Sequence, residues 1–286
     1  MKKIRITALA SAALCGLALM APSQAADLSA PPPSAPVAPV MNWTGFYIGA
    51  GGGGNFLFAD SYTAVDFFGG KPAPTSEHDF FPDVEASADL GAVGAFGTVQ
   101  GGFDWQFGDR FVLGVFGNYD FGGNTRASHS AGAPIENECI DCLSLESEHG
   151  DTIRARVTLE DSWAIGGRLG FLSSESTLWY GLAGYTQAKI EGEAGHPDLR
   201  RRVVSEHDSH YQYSWSGWRD GVVLGAGVET LLTDAISLKM EYRYTDYESF
   251  GGHDGKVEEG VEQVAKFDPE VHSIRGVVSW RFGNLF

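Results

Sequence analysis

The sequence predicts an all-β chain, an eight-stranded antiparallel transmembrane β-barrel with short periplasmic turns and long outer loops. Three observations carry that expectation. The first is a two-faced strand at Ala235–Tyr247, in which Ile236, Leu238, Met240, Tyr242 and Tyr244 alternate with Ser237, Lys239, Glu241, Arg243 and Thr245. A strand turns its side chains over at every residue, so the two sets meet different surroundings. A soluble sandwich would also tolerate alternating charges on a wet face. What favours lipid is the aliphatic band running up to Tyr242, Tyr244 and Tyr247, which reads as an interfacial aromatic girdle. The second observation is an alternation of tight and long connections between strand-like segments, and the third is an export signal at the start of the chain.

That start is basic, Met1-Lys2-Lys3-Ile4-Arg5, then apolar from about Ala8 to Ala21, and it reaches Ser23-Gln24-Ala25. A basic start, a short apolar run and small residues before the cut make residues 1–25 a signal peptide. The run is too short to cross a bilayer as a helix. Cys15 does not make it a lipoprotein signal, because Leu14 stands where a small residue is needed. Residues 26–42 are rich in proline and read as an extended periplasmic linker that cannot pair in a sheet.

Residues 43–286 hold the expected barrel. Period-two alternation marks strands at Trp43–Phe58, Leu90–Phe107, Arg110–Phe121, Ile153–Leu172, Thr177–Ile190, Trp218–Leu232, Ala235–Tyr247 and Val271–Phe282. Several exceed the roughly 9–11 residues a tilted strand needs, so they should protrude from the bilayer. The connections Gly108-Asp109, Ser173–Ser176 and Thr233-Asp234 are short; Ala59–Asp89, Gly122–Thr152, Glu191–Gly217 and Glu248–Glu270 are long. Tight turns on one side and long polar loops on the other fit an even-stranded barrel.

Composition narrows the function. The formal charge of −17 becomes −20 when the signal takes Lys2, Lys3 and Arg5 with it, which argues against nucleic-acid binding. The mean hydropathy of −0.13 is uninformative for a barrel, whose lipid-facing residues alternate with polar ones. Cys139 and Cys142, in Cys-Ile-Asp-Cys, read as a local disulfide of an exported protein, since the strand–helix setting of a redox motif is missing and two thiolates leave a zinc site incomplete.

The segment Trp43-Thr44-Gly45-Phe46-Tyr47-Ile48-Gly49, behind a signal peptide and a proline-rich leader, resembles the OmpA-like outer-membrane β-barrel proteins of alphaproteobacteria, which include surface antigens and haem-binding members. The resemblance covers Trp43 to about Phe282 and implies eight strands with both termini in the periplasm. It also implies a terminal aromatic residue read by the outer-membrane insertion machinery. Here the final strand ends at Phe282 but the chain continues Gly283-Asn284-Leu285 to Phe286, so either phenylalanine could serve. A peptidoglycan-binding module like that of full-length OmpA is not expected.

Two groups of residues could carry chemistry. Arg168, Glu229, Lys239, Glu241, Arg243, Arg275 and Arg281 fall on inward positions. They read as ion pairs filling the lumen, with a narrow small-solute path as the other reading, because eight strands enclose a space that side chains roughly fill. The histidines form the second group. Seven of the eight fall in expected outer loops beside acids, as in Glu206-His207-Asp208-Ser209-His210. Neutral imidazoles could ligate haem iron or a divalent metal, with His207 and His210 the best placed, and solvated loops are the plain alternative. His207-Asp208-Ser209 only loosely echoes the Ser-His-acid sites of lipid A hydrolases, and it lies mid-loop. The glycine runs Gly49–Gly54 and Gly91–Gly97 precede no helix and read as strand-shaping rather than nucleotide-binding. The expected protein is therefore a non-enzymatic surface barrel of the cell outer membrane. Its expected partners are outer-membrane lipids, the insertion machinery and a host or environmental ligand at the loops; it carries no resident cofactor unless the histidines hold haem.

Overall fold

Alternation along the sequence becomes alternation across a wall. The computed structural model describes residues 42–67, 84–132, 152–195, 212–256 and 261–282. Among these residues the strands are β1 Gly45–Phe67, β2 Val84–Phe107, β3 Phe111–Phe121, β4 Thr125–Gly132, β5 Thr152–Ser174, β6 Thr177–Gly195, β7 Gln212–Leu231, β8 Ile236–Tyr247, β9 Phe250–Lys256 and β10 Val261–Arg281. Eight of them, in the order β1-β2-β3-β5-β6-β7-β8-β10, pair antiparallel in a ring. The ring is closed by β10 against β1, from Tyr47 opposite Arg281 to Phe67 opposite Val261. A closed ring leaves no backbone donor or acceptor facing hydrocarbon, which is what permits a sheet to span a membrane. All eight expected strands coincide with ring strands, and the tight connections fall at 108–110, 175–176 and 232–235.

The expected long loops are shorter than the sequence suggested. Strand structure runs through Ala59–Phe67, Val84–Asp89 and Val261–Glu270, and two further strands, β4 and β9, occupy stretches read as loop. β4 continues the line of β3 along β5, and β9 continues that of β8 along β10. The outer side of the barrel is thus a walled extension. Beyond the pairs Gly97–Phe121 and Gly221–Tyr247, β2 is not laddered to β4 and β7 is not laddered to β9.

The outward faces separate into a lipid belt and a wet rim. Leu113, Val115, Ile165, Leu169, Leu224, Met240, Ile274 and Val278 are large, apolar and exposed. In a soluble protein so continuous an apolar surface would be an aggregation liability; on a barrel it is the lipid contact. Trp105, Phe107, Phe111, Phe171, Trp179 and Trp280 close the belt beside the tight turns, and Tyr119, Trp163, Tyr185 and Tyr242 close it on the other side. From Phe171 to Trp163 is eight residue steps, which at ~3.3 Å per residue and ~40° tilt give about 20 Å, a little below the ~25 Å of a typical apolar band. Tyr247 corrects the expected girdle. It is 5% exposed and points inward, because its odd position shares the parity of Lys239 and Arg243.

Candidate functional site

The interior is built from inward positions of all eight ring strands, and each sequence-predicted charge lies there: Arg168, Glu229, Lys239, Glu241, Arg243, Arg275 and Arg281 are all buried. They form two layers. In the layer nearer the tight turns, Arg168 donates to Asp104 from Nε at 2.8 Å and from Nη2 at 2.5 Å, and to Glu229 from Nη1 at 2.8 Å. Arg281 completes the square, donating to Asp104 at 2.8 Å and to Glu229 at 3.3 Å. Ser237 Oγ donates to Glu229 at 2.6 Å, and Lys239 Nζ stands 3.9 Å from the same carboxylate. Paired arginine forks of this kind hold carboxylates in one geometry, and the remaining cationic faces rest on aromatic rings. Arg168 lies over Tyr47 at 4.8 Å and Tyr180 at 5.0 Å, and Arg281 over Trp43 at 4.7 Å.

The second layer lies further towards the outer side. Arg243 donates to Glu241 at 2.5 Å and to Asn118 at 2.7 Å. Arg275 donates to both oxygens of Asp120 at 3.0 Å. Tyr180 Oη donates to Glu241 at 2.8 Å and so ties the layers together. Arg243 and Arg275 stack on Phe116 at 5.0 Å and Phe96 at 4.9 Å. Five cations thus meet four carboxylates, two of which, Asp104 and Asp120, sequence reasoning had not singled out. The signal was present: along β2, Asp104 and Gln106 alternate with the lipid-facing Phe103, Trp105 and Phe107.

Both ends of this charged stack are sealed. At the turn side Trp43 is 0% exposed and is fixed on three sides: its backbone N–H donates to Gln106 at 2.9 Å, its indole N–H to the Glu175 carbonyl at 3.0 Å, and its own carbonyl accepts from Arg281 at 2.6 Å. Leu172, Leu178 and Leu231 pack in the same cluster. At the outer side an apolar core of Leu57, Leu90, Val157, Ile190, Phe250 and Phe267 fills the walled extension. Between this core and the second layer a cavity bounded by Asp120, Thr186, Arg243, Tyr247 and Arg275 leaves about 30 Å³ for the centres of water molecules. That admits a few waters and excludes a haem or a sugar.

At the rim, Tyr119 Oη donates to Asp161 at 2.9 Å, and Tyr185 Oη and Gln187 Nε2 both donate to Asp220 at 2.6 Å. Those two donors hold the Asp220 carboxyl below the usual carboxylate range. Just beyond, the Glu160 carboxylate, 2.7 Å away, raises the Lys189 ammonium above its ordinary value.

The other predicted site residues are not brought together by anything described. His207, His210, Cys139 and Cys142 lie outside the described residues, as do the signal peptide, nearly all of the linker, and Phe286. His129 lies on β4 and His253 on β9, not in loops. Phe282 donates its backbone N–H to the Phe46 carbonyl at 2.8 Å, so it continues the β1–β10 seam. The described residues contain no group of three or more histidine, cysteine or acidic side chains placed to hold a metal ion.

The chain has relatives among known outer-membrane proteins. The chain is 30% identical over 231 residues to the 31 kDa outer-membrane immunogenic protein of Brucella melitensis, covering 78% of this chain and 80% of the relative. It is 26% identical over 217 residues to the 22 kDa outer membrane protein of Rhizobium leguminosarum, covering 75% and 69%. Among solved structures it is similar to the outer membrane protease OmpT of Escherichia coli, with 9% identity, a TM-score of 0.47, and coverage of 83% of this chain and 97% of that one. The family model for the outer membrane protein beta-barrel domain matches residues 11–282, which contain every strand of the ring and its charged interior. This chain is therefore an outer-membrane β-barrel protein and a member of that family.

Proposed function

We propose that this barrel serves a structural and surface-interaction role, OmpA-like in kind, and works neither as an open pore nor as an enzyme. The observation that supports this reading is the filled lumen: among the described residues, two layers of paired charge between Trp43 and an apolar outer core occupy the interior. A lumen spent on ion pairs leaves the lipid belt and the outer extension as the working surfaces. The lipids of the outer membrane are the partners of the belt, and the insertion machinery reads the β10 end of the chain. A host or environmental ligand meets the connections at 68–83, 133–151, 196–211 and 257–260.

Surface labelling tests the orientation this role requires. In a chain with Cys139 and Cys142 replaced by serine, Ser130→Cys on the outer extension should react with a membrane-impermeant maleimide in intact cells. Gly108→Cys, at a tight turn, should react only after permeabilisation. The reverse pattern would overturn the reading.

A second reading is haem or metal capture, favoured by the acid-flanked His207 and His210. Its site would be the loops, since the lumen has no room for haem. Haemin titration of the refolded chain, followed by absorbance, should then show saturable binding that the double substitution His207→Ala, His210→Ala abolishes. Binding unchanged by the substitution would exclude this pair as ligands.

A further inference from the structure

The outer wall above the lipid belt carries charge of opposite sign on its two sides. On β8, β10, β1 and β2 the charged residues beyond the aromatic girdle are mostly acids, with Asp246 opposite Glu270, Asp60 opposite both Asp268 and Asp89, and Lys266 opposite Tyr62 the exception. On β4 and on β5 beyond Asp161 and Glu160 of the rim, Arg126, Arg154 and Arg156 all stand exposed on the outward face. The register interleaves them with exposed hydroxyls, Ser128 opposite Arg156 and Ser130 opposite Arg154, while Arg126 lies opposite the buried Thr158. Diagonal and second neighbours on one strand face stand about 7 Å apart, so the three guanidinium groups can reach one polyanionic ligand. The acids nearest the stripe are on β5 and β6, and Glu160 on β5, two residues from Thr158, is paired with Lys189 at 2.7 Å. Glu193 pairs with Arg156 at 2.9 Å, and Glu191 lies opposite Thr158 and accepts from Ser216 at 3.3 Å. Among the described residues Arg126 and Arg154 have no ion pair.

We infer that this stripe binds the acidic, phosphorylated core saccharide of the lipopolysaccharide packed around the barrel. Three arguments select that occupant. The chemistry fits, because guanidinium forks with adjacent hydroxyls match phosphate and carboxylate oxygens. The height fits: Arg156 is seven residues beyond the girdle residue Trp163, about 15–18 Å at ~3.3 Å per residue and ~40° tilt, above the lipid headgroups and level with the sugars. The direction fits as well, since the stripe points sideways along the leaflet. A soluble polyanion must approach a chain of net charge −17, whereas a neighbouring lipid is already held beside the arginines at high local concentration. The inference rests on the long-connection side being the outer one.

The test uses the full chain refolded in phospholipid nanodiscs, probed with core-bearing rough lipopolysaccharide and with lipid A that lacks the core. The triple variant Arg126→Ser, Arg154→Ser, Arg156→Ser should bind the core-bearing molecule about tenfold more weakly than wild type, since each lost charge-assisted contact is weak at an exposed site. Both proteins should bind lipid A alike. Equal binding of the core-bearing molecule, or an equal loss with lipid A alone, would overturn the inference. So would full displacement from wild type by a soluble sulfated oligosaccharide at equimolar concentration, which would identify the ligand as a free polyanion. Heat-modifiable migration on gels shows that the variant is folded; should it not fold, the single variants Arg126→Ser and Arg154→Ser replace it, each expected to lose about threefold. Failure of the orientation itself would appear separately, as Gly108→Cys reacting in intact cells.

Discussion

Glu229 accepts hydrogen bonds from Arg168, Arg281 and Ser237 while Lys239 stands 3.9 Å away, all of them buried. A buried ion network is weak evidence of net stability, because desolvation offsets much of the attraction, but removing one member strands the others. Glu229→Ala leaves Arg168, Arg281 and Lys239 facing Asp104 alone in this layer. It should cost about 3–5 kcal/mol, read as a lower urea midpoint for unfolding from lipid vesicles. An unchanged midpoint would mean that the layer contributes little. At this scale the sequence was readable wherever parity was applied consistently. Lys239, Glu241 and Arg243 fall on one face of β8 and are buried there, and the same rule along β2 would have found Asp104. Tyr247 was misread because its aromatic character was given more weight than its odd position, which turns it into the lumen.

Elements inside the membrane were legible because lipid imposes strict alternation; β4 and β9 were not. Outside the bilayer the outward face meets water, so Thr-Arg-Ala-Ser-His-Ser-Ala-Gly and Phe-Gly-Gly-His-Asp-Gly-Lys carry no lipid-facing aliphatic row. Their inward row is thin as well, with Ala127 and Phe250 as its buried apolar members. A register irregularity between Leu159 and Ser162 adds a second obstacle, since it moves the outward parity of β5 from Trp163 to Arg156. Narrow packing between strands is set by glycine at one close approach. Gly166 on β5 lies opposite Gly184 on β6, and a Cβ there would stand 2.8 Å from the Gly184 Cα and 2.9 Å from the Phe116 ring. Gly166→Val should therefore destabilise by about 1–3 kcal/mol through overpacking. Gly167→Val, on the lipid side with only the Gly114 carbonyl at 3.8 Å, should change stability by less than about 0.5 kcal/mol. Equal effects of the two would contradict the inward assignment of Gly166.

The described residues form a lipid-belted barrel whose interior is filled and whose outer wall extends beyond the membrane. Strand count, tight turns and the sign of the interior were visible in the sequence because each follows from a two-residue period. How the charges pair was not, since Arg281 on β10 and Asp104 on β2 meet only when the ring closes. The seal by Trp43 was also hidden, because it depends on Gln106, Glu175 and Arg281, which are distant in the chain. The closed lumen is the claim on which the structural role depends, and planar-bilayer conductance of the refolded full chain tests it most directly. Wild type should give no steps above those of a protein-free bilayer, since paired charges and two apolar clusters occupy the interior. Steady ohmic conductance that changes its ion selectivity when Glu241 or Arg243 is neutralised would contradict the account and make the charge layers the lining of a pore.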